Sequence, residues 1–415
     1  MRVALLTREY PPEIYGGAGV HVAELSRVLA TRVDLDVHCF GAPRRDVEPG
    51  AQAYEPWEAL AGADGERAAL RVLSVDLAMA SAVAGVDVVH SHTWYANLGG
   101  HLAHLAWGIP HVVTTHSLEP LRPWKAEQLG GGYAVSSFAE RVSLEGASAV
   151  IAVSDAMRAD VLACYPAIPP GRVRVVHNGI DPQRWAPTAE RAFLLRRGID
   201  PARPIVAFVG RVTRQKGIRH LLAAARALDP RAQLVCCAGA ADTPALAAEV
   251  DEAAAALRDR PGGFWWIPEM LSHEELVELL SAATVFACPS IYEPFGLVNL
   301  EAMACETAVV ATAVGGIPEV VTDGVTGTLV PVALTPDGSE AAEPEALAAA
   351  LAEALNALVA EPDRAHRMGL AGRARVLEHF SWEAIADRTV ALYEAIVRGS
   401  THSGHGGPRA STPSS

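Results

Sequence analysis

The sequence predicts an α/β chain built from two doubly wound domains in tandem. Three observations predict it. Short β-rich runs alternate with helical periodicity over the first ~176 residues. The segment His177-Asn178-Gly179-Ile180-Asp181-Pro182 then breaks the rhythm with Gly and Pro. The alternation restarts at Pro204 with a strand entering a glycine turn at Gly210. Repeated βαβ units imply parallel sheets covered on both faces. Ligands of such sheets bind outside the carboxyl ends of the strands, so two facing edges would form a deep cleft.

In chain order, the first strand is expected at 3–7 and a glycine loop ends at Gly19. A helix follows over about 20–30, with Val22, Leu25, Val28 and Leu29 on one face. Further strands are expected at 35–40, 86–91, 111–115, 149–153 and 173–176. The second half adds strands at 204–210, 233–238, 263–267, 284–288 and 308–311. A helix near 272–282 opens with Ser272-x-x-Glu275, a capping box. The stretch 345–397 reads as almost all helical. The expected division is an N-domain over 1–180, a C-domain over 181–380, a final helix over 381–398 that crosses back to the N-domain, and a disordered tail over 399–415.

Composition narrows the function. The chain has 415 residues, two to three domains at ~150 residues each. Half the residues are hydrophobic, enough for sizeable cores, so intrinsic disorder is not its main state. Acidic residues outnumber basic ones 48 to 34, for a formal charge of −14. That balance opposes nucleic acid and anionic membranes as partners, and an anionic ligand would need a local basic pocket. The apolar run at 3–6 is too short for a signal peptide, and no stretch approaches the ~20 apolar residues of a membrane span. Six cysteines, none in a C-x-x-C pair, read as reduced thiols of a cytoplasmic protein.

Three loops can carry chemistry. Gly16-Gly17-Ala18-Gly19 opens a helix, where backbone N–H groups can meet a phosphate or sugar. It is not G-x-G-x-x-G, which counts against a nicotinamide cofactor, and a plain tight turn remains the alternative. In Gly210-Arg211-Val212-Thr213-Arg214-Gln215-Lys216-Gly217, two cations bracket a loop between strand and helix. Arg211 and Lys216 could converge on one diphosphate, each charge-assisted bond being worth roughly 1.5–3 kcal/mol, or stand as solvated surface charges. In the third, 289–301, a loop carries Glu293 and a helix starts near Gly296. The amides of Gly296 and Leu297 would be unsatisfied helix donors suited to phosphate oxygens. Glu301, one turn on, suits a ribose diol, and Glu293 suits sugar hydroxyls.

Glu293 and Glu301 form an E-x7-E pair. With the Arg211…Lys216 loop and the N-terminal glycine loop, this resembles the retaining nucleotide-sugar glycosyltransferases of the GT-B fold, over about residues 1–398. The segments Thr7-Arg-Glu-Tyr-Pro-Pro-Glu13, Tyr15-Gly-Gly-Ala-Gly-Val-His21 and Thr115-His-Ser-Leu-Glu-Pro-Leu-Arg-Pro-Trp-Lys125 make the resemblance closest to the actinobacterial glycogen synthase or α-maltose-1-phosphate synthase family. The larger bacterial and plant polymer synthases open with K-x-G-G-L and lack the second glutamate. Here Tyr15 and Ala18 break that opening while Glu301 is present.

The resemblance implies two Rossmann-like domains and a catalytic group of His116, Arg211, Lys216 and Glu293. Arg211 and Lys216 would hold the donor pyrophosphate, Glu301 the ribose, and Gly296 and Leu297 the distal phosphate. His116, Glu293 and Phe295 would surround the transferred sugar, with Gly16 and Gly17 on the donor side. It further implies transfer of glucose from ADP-glucose to glucose-1-phosphate, giving α-maltose-1-phosphate, with no metal or other cofactor. Elongation of α-glucan ends is the alternative within the class, and a sugar-nucleotide epimerase, an oxidoreductase or a two-lobed sugar-binding protein the alternatives outside it. Arg122 and Lys125 are the candidate contacts for an acceptor phosphate, against a reading as surface charges. Lys216 is expected to face solvent in the empty cleft.

Other clusters are weaker. Asp34-Leu35-Asp36 spells D-x-D but sits at a strand's start, where solvated edge charges are expected. The pairs His90/His92 and His101/His104 have no evident carboxylate or thiolate completing a metal site. His92 ends a strand and reads as either a core or a cleft histidine. The helix after the first glycine loop offers only Arg27, Arg32 and His21, too little for a membrane-docking basic face.

Overall fold

The computed structural model describes residues 1–14, 16–42, 44, 47–61, 65–122, 125 and 131–403. Tyr15 and Trp124 lie outside the described residues, as does 404–415 of the expected tail. Among the described residues, two all-parallel sheets organise the chain. The first has seven strands: β1 (Arg2–Thr7), β2 (Asp34–Phe40), β3 (Ala51–Tyr54), β4 (Val88–His92), β5 (His111–Thr115), β6 (Ala149–Ala152) and β7 (Val173–Val175). The second has six: β8 (Ile205–Val212), β9 (Gln233–Ala241), β10 (Phe264–Ile267), β11 (Val285–Cys288), β12 (Ala308–Thr312) and β13 (Gly327–Val330). The strand orders are β3-β2-β1-β4-β5-β6-β7 and β10-β9-β8-β11-β12-β13. Strands such as β1 and β12 are buried almost throughout, because helices cover both faces. The fold is GT-B, as the sequence predicts.

Two strands escaped the sequence reading. Both β3, Ala-Gln-Ala-Tyr, and β13, Gly-Thr-Leu-Val, are four-residue edge strands with too few residues to show a period. The capping box at Ser272 forms in full, with Glu275 N–H donating to the serine side chain and the Glu275 carboxylate accepting from Ser272 N–H.

Each strand order reverses once, between β1 and β4 in the first sheet and between β8 and β11 in the second. A crevice opens outside the strand ends at such a reversal. The loops after β1, β4 and β5 and those after β8 and β11 meet there, and they hold the candidate site.

The 177–182 segment runs beside the chain leaving the C-domain. Ile180 N–H donates to Phe380 O at 2.8 Å, and a Cβ at Gly179 would lie 2.6 Å from the Trp382 ring. The helix Trp382–Ser403 then returns to the N-domain. Its buried Trp382, Ile385, Ala386 and Tyr393 join a core with Val3, Leu5, Val22 and Leu25. This helix runs through Ser403, so the tail expected from Gly399 is helical for its first residues. The domains also touch nearer the cleft. Ser154 Oγ donates to Pro294 O at 2.7 Å. The Glu319 carboxylate accepts from the Asp155 and Ala156 amides, at the start of an N-domain helix, and bonds His177 at 3.0 Å.

Candidate active site

A cavity of about 390 Å³ lies between the two switch points. Gly16, Gly17, His116, Arg122, Lys125, Arg211, Lys216, Glu293, Phe295, Gly296 and Leu297 all line it. The folded chain thus gathers these residues from four separate loops into one volume, with Glu301 not among the lining residues.

The C-domain wall is built from short-range geometry. The ladder between β8 and β9 is irregular between Gly210 and Val212, so Arg211 sits at a β-bulge, a device that re-aims a side chain. Arg211 lies 3.7 Å from Asp242 and stays about one third exposed. After β8 a short 3-10 turn, Arg214–Lys216, is capped by Thr213, whose hydroxyl accepts from Lys216 N–H at 3.2 Å. Gly217 closes the turn at φ 61°, and a Cβ there would meet Pro289 O at 2.0 Å. This close approach joins the cationic loop to the β11 loop, where Ile291 N–H donates to Gln215 O at 2.8 Å.

Lys216 does not face open solvent. Its Nζ lies 2.6 Å from Glu293 Oε2, with side chains 18% and 8% exposed. Burial alone would lower the lysine pKa, but the Glu293 charge beside it raises it, so the ammonium is held. Ser290 Oγ donates to the same carboxylate oxygen at 3.3 Å. The backbone of Glu293 is clamped by Gly315, at φ 51° with no room for a Cβ beside Glu293 O, and by the Gly316 amide, which donates to that oxygen at 2.9 Å.

The helix Leu297–Ala304 starts from Gly296 at φ 101°, with no side chain capping it. Its first amides therefore stay available to an anion. Glu301, partly buried one turn on, has its carboxyl pushed up to about 7 by burial, against the opposing pull of Lys216. Phe295 lines the cavity as well. Its ring is buried against His177 and Phe380, so it offers the cleft main chain rather than an aromatic face.

The N-domain wall is assembled from distant parts of the chain. Gly17 approaches the C-domain, its Cβ position lying 3.6 Å from Leu297 Cδ1. The Gly16 amide already donates to Glu9 Oε2 at 2.8 Å, so this loop end is capped by protein. His116 follows β5, with Nε2 3.0 Å from His92 Nδ1. Burial holds His92 and His116 well below the ordinary histidine pKa, helped by neighbouring imidazoles, so both are neutral.

Arg122 and Lys125 reach the cavity but are not free surface charges. Lys125 Nζ donates to Glu119 Oε1 at 3.0 Å, and Arg122 donates to Ser117 Oγ at 2.7 Å with Glu119 3.9 Å away. Lys125 is nearly fully buried, and its pKa is lowered by burial and by Arg122 against the pull of Glu119. Glu140, behind Glu119, is pushed up to about 7 by burial and by Glu119.

Sequence reasoning missed several lining residues. Arg8 and Glu9 follow β1, and Arg8 lies 4.0 Å over the Tyr95 ring. Tyr95 follows β4, and Asn178 comes from the interdomain segment. The switch-point rule, applied to the residue after β1, would have found Arg8 and Glu9. Asp36 pairs with Arg2 at 2.8 Å, with Asp34 exposed at the opposite strand end, so D-x-D is an edge feature. His90 bonds Tyr393 and Thr114, and His104 bonds Ile109 O, each within the fold.

Comparison with known proteins agrees with this geometry. Residues 15–184 match the family described as Glycosyltransferase Family 4, and residues 195–375 match Glycosyl transferases group 1. Among solved structures, sucrose-phosphate synthase from Thermosynechococcus elongatus superposes with a TM-score of 0.78 at 28% identity, covering 96% of this chain and 99% of that one. The chain is a glycosyltransferase of the GT-B class, which displaces the epimerase, oxidoreductase and binding-protein alternatives. Alpha-maltose-1-phosphate synthase of Mycolicibacterium smegmatis is 57% identical over 95% of this chain and all of its own length. The enzyme of that name from Mycobacterium tuberculosis is 55% identical over the same shares. Within the class, the chain belongs to the alpha-maltose-1-phosphate synthase family. Among the described residues, no helix is long and apolar enough to cross a membrane.

Proposed function

We propose that this enzyme transfers glucose from ADP-glucose to glucose-1-phosphate with retention, forming α-maltose-1-phosphate. The observation that carries the reading is one cavity with cations on both walls: Arg211 and Lys216 on one side, Arg8, Arg122 and Lys125 on the other. In a chain of formal charge −14, five cations line this one cavity beside five carboxylates, Glu9, Glu119, Glu140, Asp242 and Glu293, and the cations stand where two phosphorylated substrates would meet. The names of the close relatives supply the product, and a glycosyltransferase makes a disaccharide phosphate by joining a glucosyl donor to a phosphorylated glucose.

On this reading the bond from glucose C1 to the β-phosphate oxygen breaks, and C1 bonds the acceptor hydroxyl. Arg211, Lys216 and the helix N-terminus at Gly296 and Leu297 meet the charge developing on the diphosphate. The acceptor attacks from the leaving-group side, and a phosphate oxygen takes its proton. Glu301 holds the ribose, and His116 and Glu293 hold sugar hydroxyls. Arg8, Arg122 and Lys125 hold the acceptor phosphate. Fixed cations neutralise the leaving group, so the reaction carries no resident metal and turnover survives EDTA. Six free thiols, five of them buried, suit a reducing cytoplasm.

The test is turnover of labelled ADP-, UDP- and GDP-glucose with glucose-1-phosphate or glycogen, the product's anomeric form being read by NMR. The expected product is α-maltose-1-phosphate from ADP-glucose. Turnover with glycogen but none with glucose-1-phosphate rejects the small acceptor. Loss of turnover in EDTA, restored by Mg²⁺, rejects the metal-free mechanism.

A further inference from the structure

Three imidazoles from three distant positions converge beside the cavity. His21 lies in the helix Gly17–Leu29, His92 ends β4 and His116 follows β5. One ring nitrogen of each lies within 4.8 Å of the others, and His92 Nδ1 and His116 Nε2 are 3.0 Å apart. His21 and His92 are 3% and 0% exposed. Both His21 nitrogens and His92 Nε2 are buried without a hydrogen-bond partner.

We propose that His21, His92 and His116 form a tris-imidazole site for a first-row transition cation such as Zn²⁺, and that loading it withdraws His116 from the sugar. Three histidine nitrogens are a common zinc ligand set. Zn–N bonds of about 2.0–2.1 Å in tetrahedral geometry place ligand nitrogens about 3.3 Å apart. The His92–His116 pair already stands near that spacing, and side-chain rotation of His21 closes the third edge. Burial depresses the pKa of His21, to about 4, and of the other two rings, so each is neutral with a lone pair to donate. The cluster contains no carboxylate, so imidazole-seeking ions such as Zn²⁺, Co²⁺, Ni²⁺ or Cu²⁺ fit and Mg²⁺ does not. Asn178 interacts with His21, and its Oδ1 is also buried and unpartnered, an acceptor for the remaining His21 N–H. His116 and Asn178 both line the cavity, which gives the ion its way in and leaves a fourth position open to it. Binding rests on the cluster geometry alone, and only the loss of activity rests on the sugar-transfer reading.

The experiment uses the full chain, stripped with chelator and titrated with Co²⁺. One equivalent should produce the visible d–d band of tetrahedral Co²⁺, and Zn²⁺ should displace it. Loss of an outer-shell partner already costs about 10–100-fold in affinity, so His21→Gln should weaken Co²⁺ binding about 100-fold or more. His379→Gln, a control on the surface, should leave it unchanged. Zn²⁺ at one equivalent should inhibit turnover, and EDTA should restore it. No band in the unaltered protein, or a band untouched by both His21→Gln and His92→Gln, overturns the site. Should both variants fail to fold, anomalous scattering from a Zn²⁺-soaked crystal decides. A peak between the three rings supports the site, and peaks only elsewhere overturn it. Binding without inhibition keeps the site and rejects the role of His116 at the sugar.

Discussion

The two walls of the cleft are built by different rules. On the C-domain wall the charges lie in two short segments, 210–217 and 289–301, and each cation stands beside a carboxylate. Gly217 holds these two loops against one another, and Gly315 and Gly316 after β12 hold the second in place, through backbone approaches that leave no space for a Cβ. On the N-domain wall the functional groups come from the ends of β1, β4 and β5, from a helix and from the interdomain segment. There neutral imidazoles stand beside a cation pair that shares one buried carboxylate, Glu119, with Lys125 Nζ 3.0 Å from it. A diphosphate needs the same rigid cradle in every turnover, and preorganised charge serves it. On the proposed function the N-domain wall recognises the acceptor sugar, and its chemistry is dispersed.

The comparison breaks most sharply at Lys216. If the C-domain wall stabilises the leaving diphosphate, Lys216→Ala should lower kcat about 10²–10³-fold. It should also cost about 1–3 kcal/mol of stability, because Glu293 is left buried and unpaired. Glu293→Gln in the same chain should recover stability in urea unfolding without recovering turnover. Activity within threefold of the unaltered enzyme would remove Lys216 from the chemistry.

The N-domain wall is probed by Arg122→Ala with Lys125→Ala. Loss of a phosphate contact of ~2 kcal/mol raises KM for glucose-1-phosphate roughly thirtyfold, while KM for ADP-glucose holds. Arg8→Gln should move the acceptor KM in the same direction without the stability loss that Lys125→Ala brings by exposing Glu119's need for a partner. An acceptor KM unchanged in both variants would make this wall structural.

Rigidity itself can be tested with two glycines. Gly217→Ala forces a left-handed residue against Pro289 O and should cost about 2 kcal/mol or more, with a falling kcat. Gly16→Ala meets nothing within 4 Å and should be close to neutral in thermal unfolding. Equal costs at both positions would mean that the C-domain loops are no more constrained than the N-domain loop.

The smallest effect expected is a pH dependence at Glu301. Its carboxyl titrates at about 7 in the folded chain. The unfolded chain ionises it at an ordinary value of about 4.3, so folding favours the protonated form. Stability therefore falls as pH rises through that window, and the penalty is complete above about 7. The ionised form is the better acceptor for a ribose diol, so the donor KM should fall a few-fold between about pH 6 and 8. Glu301→Gln should flatten both profiles. A slope that survives the substitution belongs to another group, with Glu140 the first to test.

The order of strands and helices, the two-domain division and the two C-domain loops follow from local signals. Alternating β and helical periods need only neighbouring residues, and a glycine turn after a strand declares itself within eight positions. Glu293 and Glu301 fall on one loop and helix start, so their spacing alone is informative. Tertiary structure decided the rest. Lys216 and Glu293 are 77 positions apart, and they pair because β8 and β11 are adjacent in the sheet. Lys125 is buried because Glu119, Ser136 and Glu140 surround it once the helix Gly132–Gly146 packs behind the loop. His21, His92 and His116 share no sequence motif, and they meet because β1, β4 and β5 lie side by side and the helix Gly17–Leu29 packs on one face of that sheet. Local pattern fixes what each segment becomes, but strand order fixes which loop ends face each other, and a site between loops exists only after that order is set.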